Sequence, residues 1–178
     1  MLNEDKIRET CMTDPELGFR WLVEKFQSPM YWHIRRMVVS HEDAEDVLQE
    51  TFIKTFRHLD DFRAESSLST WVYRITTNEC IRFLNRRKEE TISTEEVQAD
   101  LMNKLMASEY VDYDNAMEVK FQKAILTLPE KQRLVFNLRY YDELKYEEIS
   151  RITDTKVETL KANYYFAKEK IKEYMTNN

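Results

Sequence analysis

Residues that form turns and cross-links are scarce in this sequence, which has one glycine, three prolines and two cysteines among 178 residues. With 34% of its residues charged, such a chain favours long helices over sheets. The single glycine, Gly18, excludes a glycine-rich phosphate loop. The cysteines, Cys11 and Cys80, have no partners at metal-ligand spacing, which indicates a reducing compartment.

Signatures of membrane proteins and enzymes are equally sparse. No signal peptide opens the chain and no apolar run approaches a membrane span, so we expect a cytoplasmic protein without membrane insertion. The three histidines, His33, His41 and His58, form no metal-binding motif, and we interpret all three as surface residues. The carboxylates are plentiful, but none is marked by its context as an acid–base pair. We therefore predict no catalytic residue, no metal and no cofactor.

The net charge of −6 is spread unevenly along the chain. Residues 1–90 carry 14 basic and 17 acidic residues, a net of −3, and residues 91–118 carry 1 basic and 7 acidic residues, a net of −6. Residues 119–178 carry 12 basic and 9 acidic residues, a net of +3. A protein with this overall charge does not coat DNA by bulk attraction. Only the basic C-terminal part has a charge that fits a nucleic-acid contact.

Apolar residues at helical spacing predict an all-α module of about 85 residues at the start of the chain. The predicted helices cover residues 16–39, 40–59 and 68–87, with a kink or restart at Pro29 in the first. The buried stripe of the second helix is predicted to include Phe56. A module this small is marginally stable and needs well-packed helices.

Two acidic stretches have more than one interpretation. Residues 89–116 show only weak periodicity and are predicted to be a linker with one transient helix. This linker is either a solvated tether or a segment whose acidity mimics nucleic acid in a channel or repels stray DNA. The outer face of the second helix, around Asp46 and Glu50, is either solvated or a docking surface for a basic helix of a partner.

The C-terminal part carries two short helical patterns joined by a tight polar turn. After a helix that ends near Leu126, a capping box at 127–130 is predicted to open the next helix. A short helix over about 145–152 follows, then a turn at 153–155, and a second capping box at 155–158 opens the last helix. This arrangement predicts a helix-turn-helix, which places its last helix in the DNA major groove.

The last helix has a basic face formed by Lys161, Tyr165, Lys168 and Lys172 at helical spacing. One interpretation is an ordinary solvated face. The other is a DNA contact in which the lysines meet phosphates or base edges and Tyr165 supplies flat contact area. The short helix and tight turn before it favour the DNA contact.

The third helix of the first module carries a different stripe, made of Trp71, Arg74, Asn78, Arg82 and Asn85. Guanidinium and aromatic groups stack on exposed bases, and each stacked base contributes about 1–3 kcal/mol in single-strand binding. The alternative is a core tryptophan flanked by ordinary surface charges, which this feature taken alone slightly favours.

Two blocks of the sequence resemble bacterial sigma factors. One block is similar to their region 2 and reads HEDAEDVLQETFIKTFRHLDDFRAESSLSTWVYRITTNECIRFLNRR. The other is similar to their region 4 and reads LPEKQRLVFNLRYYDELKYEEISRITDTKVETLKANYYFAKEKI. Their order, spacing and total length resemble the extracytoplasmic-function (ECF) group. The resemblance implies region 2 over residues 1–88, an acidic linker over 89–116 and region 4 over 117–178, each region a small helical domain.

The resemblance also implies a function and a set of partners. Such proteins are not enzymes: they bind core RNA polymerase through the coiled coil of its largest subunit and its flap, direct it to promoter DNA and help to open the duplex. An anti-sigma factor is an expected regulatory partner. The implied polymerase-binding residues are Asp46, Gln49, Glu50, Ile53 and Lys54.

Two DNA elements are assigned by the same resemblance. A flipped base of the minus-ten element is expected in the loop at 63–67, at a cost of a few kcal/mol in lost stacking. The implied minus-ten residues are Arg63, Ser66, Ser67, Thr70, Trp71, Arg74, Asn78, Arg82, Asn85 and Arg86. The implied minus-thirty-five residues are Lys156, Thr159, Lys161, Ala162, Tyr165, Phe166 and Lys168.

The chain departs from the family at identifiable positions. Glycine is frequent in the family where this chain has Ala64, Glu143, Asp154 and Glu158. The recognition helix of the family is usually richer in arginine, where this chain has Ala162, Asn163, Tyr165 and Phe166. Aspartate still suits a turn, because it tolerates left-handed geometry better than most residues do.

Two alternative functions compete with the sigma-factor prediction. One is a helix-turn-helix regulator whose first module senses a ligand or dimerises, and which binds a palindrome without polymerase. The other is a nucleic-acid enzyme, which the missing metal and phosphate signatures disfavour.

Overall fold

The computed structural model describes residues 2–90, 93–108 and 111–177, and all the regular structure in these ranges is helical. The helices are α1 (Glu4–Thr13), α2 (Pro15–Val38), α3 (His41–Arg57), α4 (Leu68–Glu90), α5 (Thr94–Met106), α6 (Ala116–Leu126), α7 (Glu130–Tyr140), α8 (Tyr146–Thr153) and α9 (Val157–Asn177), with a 3-10 turn at Leu59–Asp61. The predicted all-α class is confirmed. In the part of the chain so described, no helix is long and apolar enough to span a bilayer.

Helix α1 was not predicted from the sequence, and it explains where the only glycine lies. Ile7 and Cys11 of α1 are buried against α2. A Cβ atom on Gly18 would lie 2.4 Å from the backbone nitrogen of Cys11. No side chain fits at that separation, so the crossing of α1 over α2 requires glycine.

Helix α2 continues through Pro29 to Val38, so the predicted restart at that proline is wrong. Proline removes one backbone hydrogen bond from a helix. Pro29 itself is exposed, while Phe26 and Met30 on either side of it are buried in the core. Burial of the apolar face therefore outweighs the loss at Pro29.

The acidic stretch predicted to be a linker contains the packed helix α5. Ser93 caps its start, since its hydroxyl accepts a hydrogen bond from the Glu96 amide at 3.2 Å. Leu101 and Leu105 are buried in a cluster with Val39, which follows α2, and with residues of the C-terminal part. Lys104 of α5 lies 3.2 Å from the Asp43 carboxylate on α3. The segment thus bridges the two modules instead of being only a solvated tether.

The helix-turn-helix is formed by α8, the turn at Asp154 and α9. Asp154 ends α8 in the left-handed conformation, at φ 52°. Ile149 and Ile152 of α8 and Leu160 of α9 are buried together, which fixes the angle between the two helices. Glu148 closes the start of α8, because its carboxylate accepts a hydrogen bond from the Lys145 amide at 2.8 Å.

Neither predicted capping box forms in this region. The Thr127 hydroxyl donates to the Ala124 carbonyl oxygen at 2.6 Å, and Pro129 occupies the N-cap of α7. The Thr155 hydroxyl donates to the Thr153 carbonyl oxygen at 3.2 Å, and α9 begins only at Val157. In both cases the threonine hydroxyl donates to a carbonyl oxygen at the end of the preceding helix. A hydroxyl used in this way does not act as the N-cap of the next helix.

The two modules share one core. Apolar residues of α1–α4 form a buried cluster with residues of the C-terminal module, namely Leu134, Val135, Leu138, Ile149, Ile152 and Leu160. Two polar contacts lie beside them on α7: Arg133 donates to the Met37 carbonyl oxygen at 3.3 Å, and Asn137 donates to the Met37 sulfur at 3.4 Å. The face of α2 and α4 that α7 and α8 cover is therefore not solvated.

Asp142, in the loop between α7 and α8, enters this interface as a buried carboxylate. Tyr73 donates a hydrogen bond to its Oδ1 atom at 3.1 Å, and the Arg36 Nη1 atom lies 3.6 Å from the same oxygen. The Nδ1 atom of His33 lies 3.7 Å from Oδ2. Burial raises the pKa of Asp142 from 3.8 to about 6, although the Arg36 charge and the Tyr73 hydrogen bond oppose the shift.

His33 is fully buried, so the prediction that all three histidines lie on the surface is wrong for this one. Burial, reinforced by the Arg36 charge, lowers the pKa of His33 from 6.5 to about 3. The imidazole is therefore neutral at pH 7, and its Nε2 atom is 3.0 Å from the Thr77 hydroxyl. His41 and His58 are exposed, as predicted.

Three of the four positions where the family often has glycine have a positive φ: 57° at Ala64, 53° at Glu143 and 52° at Asp154. A left-handed conformation costs a residue other than glycine roughly 1–2 kcal/mol.

Glu143→Gly should therefore stabilise the protein by about 0.5–1 kcal/mol, since the greater freedom of glycine in the unfolded chain cancels part of the gain. Urea unfolding measures the change.

Glu158 supplies the matched control, because it lies in the first turn of α9 and has ordinary helical geometry. Glu158→Gly should destabilise the protein, by up to about 1 kcal/mol. Equal signs for the two substitutions would contradict the strain at Glu143.

Asp142→Asn should lose stability relative to the unsubstituted protein as the pH falls from 6 to 4. The folded carboxyl binds a proton below its pKa of about 6, whereas the unfolded carboxyl does so only near 3.8. Acidification through this window thus favours the folded state, and asparagine cannot take up the proton. The difference in unfolding free energy should grow by roughly 1.4 kcal/mol per pH unit. Urea titrations at several pH values measure this difference in unfolding free energy. Asp60→Asn, at an exposed position, is the control. A difference for Asp142→Asn that does not change with pH would refute the burial effect.

Candidate nucleic-acid interface

The outer face of α3 is acidic with an apolar centre. Asp46, Gln49, Glu50 and Ile53, all predicted polymerase contacts, are exposed on it. Lys54, the fifth, is half-buried and paired with Glu79 of α4. This face can accept a partner that offers basic groups around an apolar patch.

Phe56 extends the same face, contrary to its predicted place in the buried stripe. Its side chain is 47% exposed and contacts the Phe19 ring edge-on at 4.9 Å. Phe19, near the start of α2, therefore covers only part of this ring. Sequence periodicity missed this residue, because an apolar residue at a core spacing looks the same whether or not a neighbour covers it.

The loop before α4 forms one wall of a cavity of about 540 Å³. Ser67 caps the start of α4, since its hydroxyl accepts a hydrogen bond from the Thr70 amide at 3.1 Å. This cap directs Trp71 toward the loop, where its ring lies 4.9 Å from that of Phe62. Arg63, Ser66, Thr70, Trp71 and Arg74 all line the cavity, which brings together half of the predicted minus-ten residues.

The opposite wall of this cavity comes from the helix-turn-helix, through Ser150, Arg151 and Asp154. The aromatic and basic side chains around Trp71 therefore face the second module in this arrangement. No feature of the sequence pointed to this contact, because it joins residues about eighty positions apart and depends on how the modules pack.

The rest of the predicted minus-ten set follows α4 away from the cavity. Arg74, Asn78, Arg82, Asn85 and Arg86 are all exposed, as the stripe requires. The last four line a shallow groove together with Ile81 and Glu89. Thr70 differs from the others because it is buried. The open groove, with two arginines and two amides, suits the backbone and base edges of a single strand.

The predicted minus-thirty-five residues lie on the exposed side of α9 from Thr159 to Lys168, except Lys156, which immediately precedes the helix. All seven are exposed: Lys156, Thr159, Lys161, Ala162, Tyr165, Phe166 and Lys168. Two of the lysines lie over aromatic rings, with the Nζ atom of Lys161 5.9 Å from the Tyr146 ring centre and that of Lys168 4.7 Å from the Tyr164 ring centre. These contacts limit where the ammonium groups lie without neutralising their charge.

The centre of this α9 face is apolar. Tyr165 is 57% exposed and Phe166 is 51% exposed, and their rings meet edge-on at 5.6 Å. Small Ala162 lies one turn earlier on the same side. Large apolar groups left exposed on a soluble protein commonly mark a contact surface.

Residues 2–90, 93–108 and 111–177 contain no candidate metal site. In these ranges, no three histidine, cysteine, aspartate or glutamate side chains are grouped so that they could hold an ion. Both cysteines are buried, and burial raises the pKa of each thiol. Neither thiol is therefore poised as a nucleophile at neutral pH.

Comparison with known families matches both modules. Residues 22–90 match the model of sigma-70 region 2, and residues 118–171 match that of sigma-70 region 4. The chain is 28% identical to the ECF RNA polymerase sigma factor SigW of Bacillus subtilis strain 168, over 98% of this chain and 97% of the relative. It is 30% identical to the ECF RNA polymerase sigma-E factor of Escherichia coli K12, over 96% of this chain and 93% of the relative.

Two solved structures share the fold. The sigma factor RpoE in complex with the anti-sigma factor NepR from Bartonella quintana matches with a TM-score of 0.68 at 20% identity, over 90% of this chain and 98% of that one. CnrH in complex with the cytosolic domain of CnrY matches with a TM-score of 0.72 at 15% identity, over 98% of both chains. The resemblance to sigma factors, first drawn from the two sequence blocks, is confirmed.

Proposed function

The chain belongs to the ECF RNA polymerase sigma factors, and from this premise we propose how its surfaces divide the work of promoter recognition. A sigma factor binds core RNA polymerase and directs it to promoters. One observation carries the proposal: both family regions occur in order in one chain, and each has an exposed face of the residue types that nucleic acid requires. Region 2 comprises residues 1–88, the acidic linker 89–116 and region 4 residues 117–178.

The outer face of α3 docks on polymerase. Asp46, Gln49 and Glu50 pair with basic residues on the coiled coil of the largest subunit, and Ile53 supplies the apolar centre. Lys54 supports the face through its pair with Glu79. Region 4 makes the second contact, with the flap.

The loop at 63–67 and α4 take the minus-ten element. A base flipped from the non-template strand enters the cavity beside Trp71, where Phe62 and Trp71 already form an aromatic wall. The single strand then follows the groove of Arg82, Asn85 and Arg86 along α4. Stacking and backbone contacts offset the cost of unpairing.

Helix α9 reads the minus-thirty-five element in the major groove. Lys156, Lys161 and Lys168 meet the phosphates, which position the helix but carry no sequence information. Tyr165 and Phe166 present apolar surface, and the apolar feature of the major groove is the thymine methyl group. The upstream element is therefore recognised to a large extent through its thymines.

This role needs no catalysis by the chain, no cofactor and no metal, and it is exercised in the bacterial cytoplasm. An anti-sigma factor is a fitting regulator, since the similar RpoE was crystallised with its anti-sigma factor NepR. The net charge of −6 agrees with a specificity subunit that takes most of its DNA affinity from polymerase.

Run-off transcription tests the function directly. Core polymerase with the chain should start transcripts at specific promoters of the source genome, and polymerase alone should not. Gel shifts with duplex DNA but without polymerase should show weak binding. Tight binding of the chain alone to a palindrome, with no stimulation of transcription, would favour the rival regulator.

Trp71→Ala should impair promoter opening while leaving polymerase binding intact. The loss of one stacked base corresponds to roughly 1–3 kcal/mol, or about 5- to 150-fold in open complex. Permanganate reactivity of unpaired thymines measures opening, and co-purification with core polymerase measures binding. Trp71→Phe keeps an aromatic face and should retain most of the opening. Arg74→Ala should also impair opening more than polymerase binding, and the exposed Arg20→Ala is its control. Equal loss of opening and binding would indicate simple unfolding.

Phe166→Ala should weaken use of the upstream element only where that element carries thymine methyl groups. Replacing its thymines by deoxyuridine removes about 0.8 kcal/mol for each methyl group contacted, which is roughly a fourfold loss in transcription. The two changes should not add, because they remove the same contact. Lys161→Ala is the control: it should weaken promoter use equally on both templates. Full additivity of Phe166→Ala and deoxyuridine would contradict the methyl contact.

A further inference from the structure

A nearly buried carboxylate on α4 holds the lysine of the α3 docking face. The side chain of Glu79 is only 8% exposed, and its Oε1 atom accepts a hydrogen bond from the Lys54 ammonium, which is itself 21% exposed. The Nη1 atom of Arg82 lies 3.9 Å from the same oxygen, which is too far for a hydrogen bond. A buried carboxylate requires a cation beside it, and Lys54 supplies that cation.

The docking face offers Lys54 a second carboxylate. Glu50 is exposed and lies one turn before Lys54, at the i, i+4 spacing and in the order that favours an ion pair on a helix. Asp46 lies one turn before Glu50, so these two carboxylates repel each other at the same spacing. A lysine turned toward Glu50 would relieve this repulsion, and α3 by itself therefore favours a pair at its surface.

Lys54 pairs with Glu79 because burial strengthens that interaction. Water and salt screen a partly buried pair less than they screen a pair at the surface. An exposed pair on a helix contributes little, whereas the loss of Lys54 would leave the Glu79 carboxylate uncompensated in the interior. The position of the lysine is therefore set by α4, and the charge of Glu50 stays available to a partner.

Resting on the proposed docking of α3 on polymerase, we infer that Glu79 is a positioning residue for polymerase binding. By holding Lys54 against α4, it prevents the lysine from neutralising Glu50 and keeps an ammonium group away from the basic groups of the partner. Glu79 is itself too deeply buried to contact the polymerase, so it acts through Lys54. The acidic character of the docking face thus depends on a residue of the neighbouring helix.

Glu79→Gln should weaken binding of the full chain to core polymerase by about three- to tenfold at low salt, because the released Lys54 pairs with Glu50. The difference should shrink as salt is added, since salt screens exposed charges. Titration of the fluorescently labelled chain with core polymerase measures the affinity. Cys80→Ala is the matched control: it leaves a small cavity at the next buried position of α4 but keeps both charges, so the affinity should not change. Urea unfolding shows whether the two variants are destabilised to a similar extent.

Two double variants distinguish positioning from a structural role. In a Glu50→Gln chain, Glu79→Gln should cause little further loss of affinity, because the carboxylate that Lys54 would neutralise is already absent. In a Glu79→Gln chain, Lys54→Met should restore most of the lost affinity, because it removes the released cation. This second double variant has neither charge of the buried pair, so it also provides the test if Glu79→Gln alone folds poorly.

The outcomes separate this inference from the function it rests on. If Glu79→Gln has no effect, or reduces the affinity equally with and without the Glu50 charge, the positioning role is wrong and the sigma role stands. The same conclusion follows if Lys54→Met restores nothing, or if Cys80→Ala weakens binding as much as Glu79→Gln does. If the unsubstituted chain does not bind core polymerase, the proposed function itself is contradicted.

Discussion

The two modules are joined by one apolar core, and this core encloses a carboxyl group. That group belongs to Asp142, which lies within reach of a tyrosine, an arginine and a histidine. An apolar residue in place of Asp142 would leave the Tyr73 hydroxyl without this acceptor. The contact joins the loop before α8 to α2 and α4, beside the apolar residues by which α8 packs on the first module. The same packing places Ser150, Arg151 and Asp154 in the wall of the cavity beside Trp71.

The two proposed nucleic-acid surfaces differ in the chemistry of their side chains. The α4 surface combines aromatic rings with guanidinium and amide groups, which suits exposed bases and a flexible backbone. The α9 surface combines lysines with an apolar centre, which suits a rigid groove that carries methyl groups. The chain as a whole has a net charge of −6, and only residues 119–178 carry a net positive charge, of +3. Such a chain depends on a larger assembly to reach DNA, as expected of a subunit that supplies specificity.

The sequence was most informative where a pattern is local. The amphipathic stripes of α3, α4 and α9 were correctly predicted, as was the left-handed turn at Asp154, because each depends on residues a few positions apart. Phe56 and His33 were misassigned, since burial depends on which distant element covers a side chain. Helix α5 was underestimated because its apolar residues, Leu101 and Leu105, lie in a strongly acidic stretch. The Asp142 cluster had no local signal at all, as its members come from three separate elements.

The central claim is that two modules of one chain act at separate promoter elements within one polymerase complex. Footprinting a single promoter template with core polymerase and the chain tests it most directly, if hydroxyl-radical protection and permanganate reactivity are read on the same DNA. We expect protection upstream, centred near position minus thirty-five, together with unpaired thymines near minus ten, both lost when the chain is omitted. Melting without any upstream protection, or a pattern identical with and without the chain, would contradict it.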